Sequence, residues 1–291
     1  MSAIPVAQPP LAQGPGFWSR AFANRSFAVG AVLSALLVLA ALLSFAWTPW
    51  SPYEIDMAAK LQAASAAHWF GTDAYGRDVA SQMLVGARAS IAVGVIAVGI
   101  GLVIGTALGL LASAKRGWWE EIIMRVADFG FAFPAILSAI MLTAVFGPSM
   151  GIAIVAIGIY NIPTFARITR ASANAVWGRE FVMAARACGK GSFAITTEHV
   201  LPNIASVLIV QATIRFAIAI LAEAALSYLG LGTQPPQPSW GRMLAEAQTL
   251  MFQAPMLAVY PGLAIALAVL GLNLLGDGLR DIFDPRLARK R

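Results

Sequence analysis

The sequence REFVMAARACGKGSFAITTEHVLPN, residues 179–203, is a long cationic interval between two strongly apolar blocks of the chain. Its first half repeats apolar side chains at the three- and four-residue spacing of one face of a short helix, at Phe181, Ala184, Ala185 and Cys188. Gly189 then ends this helix, because glycine adopts the left-handed backbone conformation at little cost. A second short segment runs to Leu201-Pro202, where proline fixes the start of the next apolar block. Two short helices between membrane spans predict a docking surface for another protein, and an amphipathic helix lying on lipid headgroups is the alternative.

The composition of the whole chain is that of a membrane protein. The mean hydropathy is +0.74, and 59% of the 291 residues are hydrophobic whereas only 12% are charged. A soluble domain contains about 25% charged residues. The formal charge of +6 would suit nucleic acid, but the cations lie mainly beside the apolar blocks. We therefore expect no nucleic-acid partner and predict an integral protein of the lipid bilayer.

The sequence gives little indication that this chain itself catalyses a reaction or binds a cofactor. The P-loop that binds ATP requires glycine, four residues and then Gly-Lys-Ser/Thr. Gly189-Lys190 is followed by another glycine and has Ala184 at the first glycine position. His68 and His199 lack spaced metal ligands, and a single cysteine cannot form an intrachain disulfide. We expect no catalytic residue, no metal and no cofactor in this chain, so that ATP and Mg would be held by partner subunits.

Six apolar blocks predict six transmembrane helices, since about 20 apolar residues cross ~30 Å of hydrocarbon. We expect these helices at residues 27–47, 91–114, 122–146, 151–168, 204–229 and 257–275. Pro134 is expected to kink the third helix. The remaining chain then divides into an N-terminal tail (1–26), an extracytoplasmic loop (48–90), a five-helix core (91–276) that includes the cytoplasmic loop 179–203, and a basic tail (277–291).

The distribution of lysine and arginine predicts the orientation, because cytoplasmic loops carry the excess of these residues. Fourteen lie on the side of the termini: Arg20, Arg25, Lys115, Arg116, Arg167, Arg170, Arg179, Arg186, Lys190, Arg280, Arg286, Arg289, Lys290 and Arg291. Four lie on the opposite side: Lys60, Arg77, Arg88 and Arg242. Both termini and the 179–203 loop are therefore predicted to face the cytoplasm.

Small residues in the second apolar block indicate close helix packing. Gly101, Gly105 and Gly109 lie four residues apart. This small-xxx-small stripe lets two helix backbones approach each other within a membrane.

Polar residues inside the apolar blocks are candidates for the substrate pathway. Arg215 lies near the predicted midplane of the fifth helix, where an arginine costs at least a few kcal/mol unless it faces protein or water. Glu223 lies two turns further on, too far for easy pairing within one helix. Asn161 adds a polar group near the end of the fourth. Arg215 either pairs with a neighbouring helix or subunit, or lines a pore and meets a peptide carboxylate.

The 179–203 stretch resembles the EAA loop of bacterial ABC importer permeases. Met183-Ala184-Ala185 takes the place of the EAA triplet, Gly189 that of the motif glycine, and Leu201-Pro202 that of its end. The motif glutamate is absent, because Met183 stands in its place and Glu180 lies one turn earlier. Three further segments are similar to the C-type permease subunit of dipeptide, oligopeptide and nickel importers: residues 68–78 (HWFGTDAYGRD), residues 223–241 (from EAALSYLGLG to PSWG) and residues 276–285 (from GDGLRD to DP).

The resemblance implies an all-α, six-helix type I ABC importer permease with cytoplasmic termini, a multi-pass protein of the bacterial inner membrane. It implies import of di- or oligopeptides, with nickel chelates, opines or other small peptide-like solutes as alternatives. Implied partners are a homologous second permease forming a heterodimer, two cytoplasmic ATPases and an extracytoplasmic binding protein. The coupling contacts would then fall on Glu180, Met183, Ala184, Ala185, Gly189, Leu201 and Pro202. A gradient-driven secondary transporter and a purely structural or scaffolding membrane protein are the two rival classes.

Overall fold

The computed structural model describes residues 21–283, and ten α-helices form the framework of this part of the chain. They are α1 Arg25–Ala46, α2 Val79–Lys115, α3 Trp118–Ala132, α4 Ala135–Phe146, α5 Met150–Trp177, α6 Glu180–Ala187, α7 Ser192–Ile195, α8 Leu201–Tyr228, α9 Trp240–Ala247 and α10 Met256–Phe283. A π-helical turn, Thr196–Val200, joins α7 to α8 without a break. The 3₁₀ turn Met57–Ala59 lies in the loop between α1 and α2, and the 3₁₀ turn Gln248–Leu250 lies in the loop between α9 and α10.

Five of these segments are long and apolar enough to cross a membrane: α1, α2, α5, the continuous Ser192–Tyr228 helix and α10. The α3 and α4 pair passes the same test as one broken span. Counting that pair once gives six crossings in the predicted order. The predicted all-α architecture with six spans is confirmed.

The third span is broken, so the prediction of one kinked helix over 122–146 is wrong. The axes of α3 and α4 make an angle of 82°, and Phe133 between them is extended, with φ −101° and ψ 130°. Proline disfavours the helical conformation of the residue before it, and its ring clashes with the preceding turn. Pro134 therefore ends one helix and begins another.

Most helices extend beyond the predicted hydrocarbon segments. Helix α2 begins at Val79 and not at residue 91, α5 continues to Trp177 and not 168, and α10 continues to Phe283 and not 275. Hydropathy marks only the apolar part of a helix, whereas Asp78 caps α2 by accepting from the Ser81 N–H. Residues 1–20 and 284–291, which contain most of both predicted tails, lie outside the described residues.

The most extensive packing between two helices joins α2 to α5. Gly101, Gly105 and Gly109 are buried, and a β-carbon at Gly105 would lie 2.5 Å from the Ile162 carbonyl oxygen. A β-carbon at Gly101 would likewise clash with Asn161, and one at Gly109 would clash with Thr169. The stripe thus brings two spans into backbone contact, which only glycine permits at these positions.

Candidate functional site

Helix α6 lies on the cytoplasmic side of the bundle, and most of its residues are exposed. Val182 is fully buried and anchors the helix, while Glu180 and Phe181 are exposed and Met183 is 55% exposed. Ala185 packs partly against the core. An eight-residue helix with one anchor and an exposed apolar side beside it offers contacts that this chain does not itself use.

A left-handed turn ends α6 at the position that the sequence predicts. Gly189 has φ +82°, the Gly189 N–H donates to the Arg186 carbonyl at 2.9 Å, and the Lys190 N–H donates to the Ala185 carbonyl at 3.1 Å. The conformation is the one that glycine adopts without strain. No atom would meet a β-carbon at Gly189 within 4 Å, so this glycine is required by its backbone angle and not by crowding.

The second short segment is continuous with the following span, and Pro202 lies in the first turn of α8, at the predicted start of that apolar block. The helix runs from Ser192 through the π-helical turn to Tyr228. Proline lacks an N–H, and its ring crowds the carbonyl four residues earlier. The wider π-helical turn directly before Pro202 relieves that conflict, and π turns are often found at functional positions.

Some of the charged side chains on and around α6 have partners within the chain, and others do not. Lys190 donates to the Glu198 carboxylate, and the Arg186 guanidinium lies 4.9 Å from the centre of the Trp177 ring. Glu180 makes no ion pair with any residue that the structure describes. Cys188, the single cysteine of the chain, is exposed at the end of α6.

On the opposite membrane face, Asp73 organises the outer loop, which we define as residues 47–78. Its carboxylate accepts the Tyr75 N–H at 2.8 Å, the Arg77 Nε at 2.6 Å and the Gln82 amide at 2.8 Å, and the side chain is buried. Arg77 also donates to Glu246 of α9 at 2.7 Å. No pattern in the sequence indicates this network.

The ion pairs of the outer loop change the pKa of the Arg77 guanidinium. Burial alone would lower its pKa, but the Asp73 and Glu246 carboxylates raise the pKa above its usual value. Arg242 donates to the other Glu246 oxygen at 2.8 Å. Charge-assisted hydrogen bonds therefore join Arg77 to Glu246, which lies 169 positions later in the chain.

The two histidines have structural neighbours. His68 lies 2.9 Å from the Asp78 carboxylate and 5.1 Å, centroid to centroid, from the Trp50 ring. His199 lies 6.2 Å from the Phe181 ring. Among residues 21–283 no cluster of three or more His, Cys, Asp or Glu side chains could hold a metal ion.

Glu223 is buried near the end of α8, and its role as a pore candidate stays a prediction. It is 1% exposed, and its carboxylate accepts the Ser227 hydroxyl at 2.6 Å and the Thr233 hydroxyl at 3.2 Å. The Ser227 hydroxyl in turn accepts the Thr233 N–H at 2.9 Å. Glu223 therefore fastens the chain that follows α8 onto the end of that helix.

Arg215 and Asn161 lie on the side of the bundle where the third span is broken. A small cavity there is lined by the start of α4, by Tyr160 and Asn161 of α5, and by Ile218 and Ala222 of α8. Asn161 is almost fully buried. Arg215 is half-buried and lies within the electrostatic reach of Tyr160. These groups come from three separate helices, so the sequence order did not reveal that they share a site.

Comparison with known proteins supports the membrane-transport reading of this fold. The model of the family "Binding-protein-dependent transport system inner membrane component" matches residues 101–289. The dipeptide transport system permease protein DppC of Alkalihalophilus pseudofirmus is 42% identical over 274 residues, covering 93% of this chain and 90% of that protein. The glutathione transport system permease protein GsiD of Escherichia coli is 43% identical over 293 residues, covering 99% and 96%.

A solved structure agrees in fold. The inward-facing MetNI methionine ABC transporter matches 70% of this chain and 97% of its own chain with a TM-score of 0.58 and 18% identity. At that identity the match shows the fold alone. Together with the family match and the two relatives, it leads to one assignment: the chain belongs to the family of binding-protein-dependent transport system inner membrane components.

Proposed function

We propose that this chain is the permease subunit of an ATP-driven importer that moves di- or oligopeptides across the bacterial inner membrane. The observation that carries the proposal is the near full-length similarity to a dipeptide permease and a glutathione permease, at 42% and 43% identity. Both named solutes are small peptides. Nickel chelates, opines and other peptide-like solutes are the alternatives within the same machinery.

Four partner subunits of three kinds complete the proposed importer. A homologous second permease forms a heterodimer with this chain, two cytoplasmic ATPases bind ATP and Mg, and an extracytoplasmic binding protein delivers the solute. The missing P-loop and the exposed α6 support this division of labour, because an energy source outside the chain must be joined to it mechanically. The family description itself specifies dependence on a binding protein.

The coupling contacts are proposed to lie on α6 and the turn that ends it. Glu180, Met183 and Ala184 present exposed side chains, while Ala185 and Gly189 shape the helix and its end. Helix α6 follows directly on α5 and is joined by a tight turn to a continuous helix from Ser192 to Tyr228, which includes Leu201 and Pro202. Rigid helices of this length transmit a displacement from the cytoplasmic side to the extracytoplasmic side, whereas a flexible loop would dissipate it.

A pull-down from the native membrane tests the proposal. The tagged chain in mild detergent should bring along a second permease of similar size and two P-loop ATPases, identified by mass spectrometry. Uptake of a labelled dipeptide should stop when ATP is depleted and persist when the ion gradient is collapsed. A chain that purifies alone, with uptake that follows the gradient, would favour a secondary transporter.

Cys188 provides a direct test of where the ATPases bind. Because this single cysteine is exposed at the end of α6, a maleimide should label it in the isolated chain and more slowly in the assembled complex. The control variant carries Cys188→Ser with Glu54→Cys, which moves the thiol to an exposed position of the outer loop. Equal labelling of Cys188 with and without the ATPases would contradict docking at α6, while the control should label equally in both states.

A further inference from the structure

Arg215 lies near the middle of α8, so its charge is placed deep within a membrane span. An arginine at such a depth is costly unless it faces protein, water or a counter-ion. The cost is normally offset by a carboxylate from a neighbouring helix. The contacts of Arg215 therefore show whether the chain supplies that carboxylate itself.

Residues 21–283 supply no carboxylate to Arg215. No Asp or Glu oxygen lies within 4.0 Å of its guanidinium, although eight other ion pairs occur in the same part of the chain. The buried Nε atom has no hydrogen-bond partner. The Tyr160 phenol is the titratable group close enough to interact with the charge. Arg215 therefore has no anionic partner among the described residues, which leaves its guanidinium free to meet water or an anion from outside them.

Arg215 shares a face of α8 with the residues that line the cavity at the broken span. Residues 215, 218 and 222 are spaced by three and four positions, which places them on one side of a helix. Ile218 and Ala222 line that cavity, whose volume is about 40 Å³. Opposite them lie Tyr160 and the first residues of α4. Arg215 therefore lies one turn from an opening between three helices.

The cavity is lined mainly by apolar side chains, and it is the polar groups beside it that favour an anion. Helix α4 begins at Ala135 after the break, and no side chain caps its first N–H groups. The Tyr160 hydroxyl makes no hydrogen bond with another residue that the structure describes, while its ring contacts Phe131 edge-on at 6.1 Å between ring centres. A guanidinium, a phenol and the positive end of a helix thus lie on the same side of the bundle, and broken membrane helices use such ends to face anionic solutes.

We propose that Arg215 is a specificity-determining residue that contacts the carboxylate of the solute during its passage, with Tyr160 as a second hydrogen-bond donor. This inference rests on the proposed function. Dipeptide and glutathione, the solutes named for the two relatives, both carry a carboxylate at neutral pH. A carboxylate of the second permease subunit is the competing source of the anion, and the experiment below separates the two.

The test compares a dipeptide with its C-terminal amide in the complete transporter. Each solute is supplied at a concentration that saturates the binding protein, so that delivery is equal. The variants are Arg215→Met, which removes the charge, Arg215→Lys, which keeps it, and Gln211→Met, a control one turn earlier on α8. Co-purification of the second permease is measured for each variant.

Arg215→Met should lower uptake of the free dipeptide about ten-fold or more, the size of one lost charge-assisted hydrogen bond, and leave uptake of the amide unchanged or raised. Arg215→Lys should retain most of the uptake, and Gln211→Met should leave the ratio of the two solutes as in the wild type. An equal loss for both solutes, or loss of the second permease from the complex, would overturn the assignment and favour a structural or intersubunit role.

A failure of the proposed function would give a different experimental result from a failure of the Arg215 inference. If the wild-type transporter imports neither peptide, the peptide assignment fails, and the solute that co-purifies with the binding protein replaces the dipeptide. That solute must still carry an anionic group, and Arg215→Met must still reduce its uptake. A natural solute without an anionic group would therefore overturn the inference as well.

Discussion

The loops at the two membrane faces are built in opposite ways. The outer loop is fastened to the bundle by the Asp73–Arg77–Glu246 network and by a hydrogen bond from the Trp50 N–H to the Ser81 hydroxyl at 3.0 Å. The cytoplasmic loop, residues 179–203, is held mainly by the buried Val182 and Ile195, and its Phe193 is 83% exposed. The outer loop is thus fastened by ion pairs and polar hydrogen bonds, whereas the cytoplasmic loop is held by apolar anchors. Both loops leave apolar side chains exposed, among them Ile55 and Met57 in the outer loop and Phe181 and Phe193 in the cytoplasmic loop.

The difference also explains the sequence motifs of the outer face. In residues 68–78, His68 contacts Asp78, Asp73 contacts Arg77, and Gly76 has φ +74°. Each of these residues serves the shape of the loop. Residues that are fixed by internal contacts are expected to affect stability first, and those of the cytoplasmic loop are expected to affect assembly first.

The largest effect on stability is expected for Asp73→Ala. Removal of this buried carboxylate leaves the Arg77 guanidinium and the Gln82 amide without their common partner, which should lower the free energy of unfolding by about 3–5 kcal/mol. Thermal unfolding in detergent measures the change. Glu54→Ala removes an exposed carboxylate of the same loop and should have an effect within ~0.5 kcal/mol. Equal shifts in the two variants would show that the network does not hold the loop.

A matched pair of glycines gives an intermediate effect and compares the two loops directly. Gly76 and Gly189 both have left-handed angles, φ +74° and +82°, but a β-carbon at Gly76 would lie 1.7 Å from the Asp56 carbonyl oxygen, whereas nothing lies near Gly189. Gly76→Ala should therefore cost about 2–4 kcal/mol and Gly189→Ala about 1–2 kcal/mol, since only the first adds a clash to backbone strain. The unfolding temperatures of the two variants measure this difference, and the reverse order would contradict the contrast between the loops.

The sequence was sufficient for the features that are local or periodic. Hydropathy located the six crossings, the four-residue glycine spacing located the contact of α2 with α5, and the spacing of Phe181, Ala184 and Ala185 located α6. Each of these patterns repeats within one turn or one span, so that neighbouring residues carry the information.

The rest depended on contacts between distant residues. Nothing near Arg77 in the sequence indicates that it pairs with Glu246, and the hydrogen bond between Thr233 and Glu223 forms only because the chain folds back over the end of α8. The break at Pro134 was underestimated for a similar reason: hydropathy measures the length of an apolar block and not the direction of its two halves. The proximity of Arg215 and Tyr160 follows from helix packing alone.

The smallest effect on stability, and the sharpest on assembly, is expected for Met183→Ala. Met183 is 55% exposed and Met57 of the outer loop is 61% exposed, so truncating either side chain removes little buried surface, and both variants should unfold within ~0.5 kcal/mol of the wild type. If α6 is the surface that holds the ATPases, Met183→Ala should weaken their retention roughly ten-fold, as for an anchoring interface residue. Met57→Ala should leave retention unchanged. The amount of ATPase that co-purifies with each variant measures the difference. Retention equal in the two variants would show that the exposed methionine in the place of the motif glutamate takes no part in docking, and that the contacts lie elsewhere on the cytoplasmic loop, with Phe193 the first side chain to truncate next.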